Sequence, residues 1–127
     1  MRVLVCGSRH FNNKELMEDV LSRWKISTII EGEARGADTL ARKYGESHGI
    51  EVERYPALWE LHGKRAGPIR NAQMLKEGQP ELVVAFRGVN SRGTQNMIDQ
   101  ARKAGVETVV IEIDDVNASE AGLVIDI

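Results

Sequence analysis

Three glycine-bearing stretches hold most of the groups in this chain that have chemistry to offer. Gly7-Ser8-Arg9 supplies backbone N–H groups, a hydroxyl and a guanidinium just past an apolar run. Gly32-Glu33-Ala34-Arg35-Gly36-Ala37-Asp38 sets two glycines around a tight turn, with Asp38 in the first turn of the helix that follows. Arg87-Gly88-Val89-Asn90-Ser91-Arg92-Gly93-Thr94 leads from a strand into another helix. At such junctions the unpaired N–H groups and the positive end of the helix dipole suit a phosphate. Gly88 and Gly93 let the main chain approach an anion with no Cβ in the way, and Thr94 can donate its hydroxyl. Plainer readings stand beside these: a turn carrying a solvated arginine at Arg9, and a helix cap at Asp38.

Arg70 and Asn71 form a further pair, beside the Ala66-Gly67-Pro68 turn. Arginine suits bidentate contact with phosphate, and asparagine suits reading a base or ribose edge, although a surface helix also carries such residues idly. Arg87 and Arg92 flank the glycine turn and add positive charge where an anion would lie. The candidate ligand-binding set is therefore Gly7, Ser8, Arg9, Gly32, Arg35, Gly36, Asp38, Arg70, Asn71, Gly88, Arg92, Gly93 and Thr94. Candidate catalytic groups are Arg70, Glu33 and Asp38, with no role assigned among them. Trp59 and Tyr55 have the rings to stack on a base, but the preferred reading makes Trp59 the anchor of a long loop to the core. His10, His48 and His62 lack ligand-like spacing, so no metal is expected, and no cofactor is called for. Neither a Gly-x-Ser-x-Gly elbow nor a Gly-Lys-Ser/Thr phosphate loop occurs. Cys6, the one cysteine, excludes an internal disulfide and reads as a small core residue rather than a reactive thiol.

The elements that must position these groups alternate along the chain. Residues 2–6 read as a buried strand. Phe11, Leu16, Val20, Leu21 and Trp24 then mark a helix with Asn12 or Asn13 as its N-cap. Residues 27–31 form a second strand, followed by a helix carrying Leu40, Ala41 and Tyr44 that stops near Gly49. Residues 51–55 form a third strand, closed by Pro56. Residues 57–67 have no clean period and read as a loop with one helical turn around Trp59. Pro68 suits the first turn of a helix running to Leu75 and ending at Gly78. The unbroken apolar run at residues 82–86 matches a central parallel strand covered on both faces. Met97, Ile98, Ala101 and Ala104 give the next helix its apolar face, Gly105 closes it, and residues 107–112 make strand five. Five strands alternating with helices predict an α/β fold, a Rossmann-like three-layer sandwich with a mostly parallel five-stranded sheet. Ligands of such sheets bind beyond the strand C-termini, where the strand order reverses.

A length of 127 residues suits one domain, here read as residues 1–112 with a tail at 113–127. The apolar run at residues 123–127 is either an added edge strand or a dimer arm. With 17 basic and 19 acidic residues the chain has no overall electrostatic footprint for nucleic acid. No apolar run approaches the ~18 residues of a membrane span, and a strand at the very start leaves no room for a signal peptide. A cytoplasmic protein with no membrane partner is expected.

Taken together, the motifs resemble a known family. Val5-Cys6-Gly7-Ser8-Arg9, Gly32-Glu33-Ala34-Arg35-Gly36-Ala37-Asp38, the run from Tyr55-Pro56-Ala57-Leu58-Trp59 through Ala66-Gly67-Pro68-Ile69-Arg70-Asn71-Ala72-Gln73-Met74, and Ala85-Phe86-Arg87-Gly88 with Arg92-Gly93-Thr94 look like the YspA-like, cpYpsA-related branch of the SLOG superfamily. The likeness spans residues 2 to 112. It implies a Rossmann-like domain that binds a nucleotide or nucleotide-derived signal, as sensors of ADP-ribose derivatives in bacterial antiphage defence do. It also implies a homodimer or higher homo-oligomer, since related domains often pair. The superfamily's Lonely-guy phosphoribohydrolases cleave the base from nucleoside monophosphates with an Arg-Lys-x-x-Met helix and a Pro-Gly-Gly-x-Gly-Thr-x-x-Glu turn. Here Arg70 and Met74 match the first motif, with Asn71 at the lysine's place. Gly93 and Thr94 match the second, but the glutamate's place falls on Met97, next to Asn96. Neither residue can stabilise an oxocarbenium-like centre or activate water, which counts against hydrolysis. The alternatives are an N-glycosidase drawing on Glu33 or Asp38, and a non-catalytic interaction module in which Arg70→Ala alters only stability.

Overall fold

The central strands are apolar on both faces because helices cover both sides of the sheet. β1 (Arg2–Gly7) buries Val3 to Cys6, and β4 (Leu82–Arg87) buries Leu82 to Phe86. β2 (Thr28–Glu31) is buried throughout, whereas β3 (Glu51–Arg54) and β5 (Glu107–Glu112) are only partly covered. The computed structural model describes residues 1–114, in which the five strands pair in the order β3-β2-β1-β4-β5. Every pairing is parallel.

Alternate strand residues serve opposite faces. Val3, Val5, Ile29, Val84 and Phe86 meet α1 (Lys14–Leu21) and α2 (Ala37–Ser47) through Met17, Val20, Leu21, Ala41 and Tyr44. Leu4, Cys6, Ile30, Val83 and Ala85 meet α4 (Ala66–Gly78) and α5 (Arg92–Lys103) through Met74, Met97, Ile98 and Ala101. Each fully buried side chain of this size contributes about 1.5–3 kcal/mol before the entropy of ordering is subtracted. The order of strands reverses between β1 and β4, so the loops that leave those two strands diverge and open a crevice.

Asn13 is the residue that caps α1, its Oδ1 accepting from Leu16 N at 2.9 Å. α1 is shorter than the apolar pattern suggests. Phe11 precedes it and stacks on Phe86, with ring centroids 4.9 Å apart. Residues 57–67 are also more regular than a loop. α3 (Trp59–His62) passes through a 3-10 turn (Gly63–Arg65) directly into α4. Pro68 sits in the first turn of α4, where its missing N–H is not needed. Ile113 continues the ladder by donating its N–H to Arg87 O at 3.0 Å. The expected element at residues 123–127 lies outside the described residues. Among these residues no helix is long and apolar enough to cross a membrane.

Candidate functional site

A cleft of about 760 Å3 opens at the C-terminal edge of the sheet, between the ends of β1 and β4. Glycine makes the closest approaches at its base possible. A Cβ on Gly7 would lie 2.6 Å from Phe86 O and 2.7 Å from the Ala37 side chain, so β1 can run between β4 and α2 only with no side chain there. Gly36 has φ +73 and packs against the Ser8 and Arg9 backbone, a conformation and a clearance that exclude other residues. The two loops are also laced together. Ser8 N donates to Phe86 O at 3.0 Å, and Ala37 N donates to Ser8 O at 3.1 Å.

The opposite wall is the start of α4 against the start of α5. Asn71 is 4% exposed, and its amide joins both helices. Nδ2 donates to Gly93 O at 3.3 Å and to Asn96 Oδ1 at 3.1 Å, while Oδ1 accepts from Arg70 Nε at 3.0 Å. Gln100 Nε2 extends the network, donating to Asn96 Oδ1 at 2.7 Å and to Pro68 O at 3.1 Å. At the head of α5, Arg92 N donates to Asn90 O and Gln95 N to Ser91 O, so the intervening N–H groups of Gly93 and Thr94 are those an α-helix leaves without an internal acceptor. An anion placed there meets N–H donors and the positive dipole end.

Charge is unevenly spread. The cleft is lined by Arg9, Lys64, Arg70 and Arg92 against a single carboxylate, Asp38, in a chain of net charge -2. Asp38 is buried, and its Oδ2 accepts from Gly32 N and Ala34 N, each at 3.1 Å. The side chain thus caps the preceding loop rather than its own helix. Burial pushes the Asp38 carboxyl above its ordinary pKa, while those N–H groups and Arg70 hold it down. Burial likewise pulls the Arg70 guanidinium down, with Asp38 opposing. Arg70 Nη1 donates to the carbonyls of Gly32 and Tyr55, and the missing side chain at Gly32 is what gives the guanidinium room. Behind this pair lies Glu31, 1% exposed, whose Oε1 accepts from Glu33 N at 2.6 Å and whose Oε2, without a hydrogen-bond partner, lies 3.8 Å from Arg54 Nε as an ion pair. Burial first, then neighbouring Asp38 and Glu33, raise its pKa from 4.5 to about 7.

Of the residues expected to bind ligand, Gly7, Ser8, Arg9, Asp38, Arg70, Asn71, Arg92, Gly93 and Thr94 line the cleft. Gly32, Arg35, Gly36 and Gly88 do not line it. Gly32 and Gly36 act through clearance, Gly88 N donates to Ser91 Oγ at 2.8 Å, and Arg35 is exposed away from the cleft. Among the candidate catalytic groups, exposed Glu33 is absent from the lining, whereas Asp38 and Arg70 are neighbours within it. Arg87, expected to add charge beside the anion, lies elsewhere. It is not at the cleft, because its guanidinium pairs with Glu112 on β5 and donates to Gln95 Oε1 at 2.8 Å. Trp59, expected to anchor a long loop to the core, instead lies 48% exposed along the cleft, with the Arg9 guanidinium 5.9 Å from its ring centroid. Lys64, Asn90, Ser91 and Asn96 also line it without having been singled out for it; Lys64 lies in a stretch with no period, where sequence gives no direction to a side chain. Met97, at the place of the hydrolases' glutamate, is fully buried against Leu4 and its neighbours.

A family model described as YspA, cpYpsA-related SLOG family matches residues 1–62, which contain the first two glycine turns. The chain is also 33% identical over 118 residues to the "Gene 61 protein" of Mycobacterium phage D29, covering 85% of this chain and 94% of that one. An alignment of that length carries the likeness well past the segment the family model matches. The chain therefore belongs to the YspA, cpYpsA-related SLOG family.

Proposed function

We propose that the cleft binds a nucleotide or nucleotide-derived signal, a nucleoside monophosphate or an ADP-ribose-like molecule, and that the protein senses or sequesters it. The observation that carries this reading is the positive cleft at the β1/β4 reversal, four basic side chains against one acid, in an otherwise acidic chain. The phosphate rests on the backbone at Gly7–Arg9 and on the Gly93 and Thr94 N–H groups. Arg70 faces the ribose or base; with Nε and Nη1 held by protein, Nη2 is the nitrogen assigned to the ligand. Asn71 supports Arg70 and the Gly93 turn. In this reading the protein works in the cytoplasm, in antiphage or phage signalling; the relative of Mycobacterium phage D29 supplies the phage connection alone.

Titration calorimetry against nucleoside monophosphates, ADP-ribose and cyclic dinucleotides tests this reading. Saturable binding of at least one member, weakened tenfold or more by Arg70→Ala, is expected. Silence across the panel contradicts it. Asp38 gives the hydrolase reading its one foothold, as a carboxylate of raised pKa beside Arg70 in the cleft. Two N–H bonds to its Oδ2 make it a loop cap first. Incubation with AMP, CMP and NAD decides between the two: no free base is expected, and base release lost in Asp38→Asn establishes the enzyme instead.

A further inference from the structure

Trp59 is the one large ring that the cleft leaves open. It is 48% exposed, and α3, the four-residue helix that carries it, has no buried residue. Its indole is therefore held mainly by what lies against the ring. Gly67, in the first turn of α4, lies close to the ring edge, a Cβ there being 3.5 Å from Cη2. Over the ring, 5.9 Å from its centroid, sits the Arg9 guanidinium, a cation–π arrangement. Both residues line the same cleft, and Arg9 directly follows Ser8 in the loop assigned to the phosphate.

Resting on the nucleotide reading above, we infer that the Trp59 ring is the seat of the nucleotide's aromatic base, which takes the ring by displacing Arg9 toward the phosphate. A flat base offers the indole more stacking area than a guanidinium does, and it is tolerated whatever its hydrogen-bonding edge. Arg9 is long and exposed, so a change of rotamer moves its charge from ring to anion. The exchange makes base and phosphate recognition interdependent. A nucleoside must uncover the ring while giving Arg9 no new partner, whereas a nucleotide supplies one.

The chain has two tryptophans, so Trp24→Phe leaves Trp59 as the sole reporter. In that variant, saturation with AMP or ADP-ribose should change Trp59 emission more than ribose 5-phosphate does, since the latter draws Arg9 off the ring but lays no base on it. By calorimetry, Trp59→Leu should weaken AMP or ADP-ribose about tenfold and leave ribose 5-phosphate within about twofold. Arg9→Ala should weaken AMP yet strengthen adenosine, a reversal that simple loss of structure does not produce. Equal losses for AMP and ribose 5-phosphate in Trp59→Leu, or nucleotide binding that leaves Trp59 emission unchanged, overturn the base seat and leave the nucleotide reading standing. If the unaltered protein binds none of these ligands, both fall.

Discussion

Gly93 occupies the first turn of α5, and a Cβ built on it meets nothing within 4 Å. The fold therefore has no packing reason for glycine here, and its backbone is not in the left-handed region. If the open space belongs to a phosphate, Gly93→Ala should weaken AMP or ADP-ribose by about tenfold in calorimetry. The same change should keep or raise thermal stability, since alanine replaces glycine in a helix at a gain of up to about 1 kcal/mol. Glu31 makes the opposite kind of prediction, on stability alone. Its folded pKa of about 7 exceeds its ordinary 4.5, so it holds its proton more tightly when folded. Its contribution is fully present below about pH 4.5 and is lost as pH rises through about 7. Thermal melts of Glu31→Gln should match the parent at pH 4.5 and exceed it by a few degrees at pH 8. Equal melting at both values would show that the buried carboxyl titrates as it does in the unfolded chain. Sequence made the glycines legible as turn residues, but not which served clearance and which served a ligand. That distinction rests on contacts such as Gly7 against Phe86, 79 positions away in the chain.

The α4–α5 wall shows how two elements share one set of polar atoms. Asn71 holds Arg70 on its own helix, and Gly93 O and Asn96 on the next. Removing this buried amide takes a hydrogen bond from each of three groups, of which Asn96 Oδ1 keeps Gln100 Nε2 while Arg70 Nε loses its acceptor, so Asn71→Ala should cost about 1–3 kcal/mol in chemical denaturation and weaken nucleotide binding with it. Binding lost with no change in stability would instead assign the Asn71 amide directly to the ligand. All five strands and their helices were legible, because apolar runs, the alternation at β3 and helical spacing are local signals. Side-chain partners were not. Arg87 stood beside a glycine turn and read as cleft charge, yet strand pairing sets it level with Glu112. Trp59 read as a core anchor because large apolar residues usually are, and only the three-dimensional course of α3 leaves it uncovered.

At the scale of the molecule, strand order decides where chemistry can happen. Loops leaving β1 and β4 diverge at the reversal, and α4 closes the far side of the gap. Arg9 comes from the first loop, Lys64 and Arg70 from the α3–α4 region, and Arg92 from the head of α5, so only the folded chain gathers them. Amide NMR of the labelled 127-residue protein, titrated with AMP and with ADP-ribose, tests this convergence most directly. The account predicts saturable shifts concentrated at the N–H groups of Gly7, Arg9, Gly93 and Thr94. Shifts confined to the outer faces of α1 and α2, or none with either ligand, would contradict it.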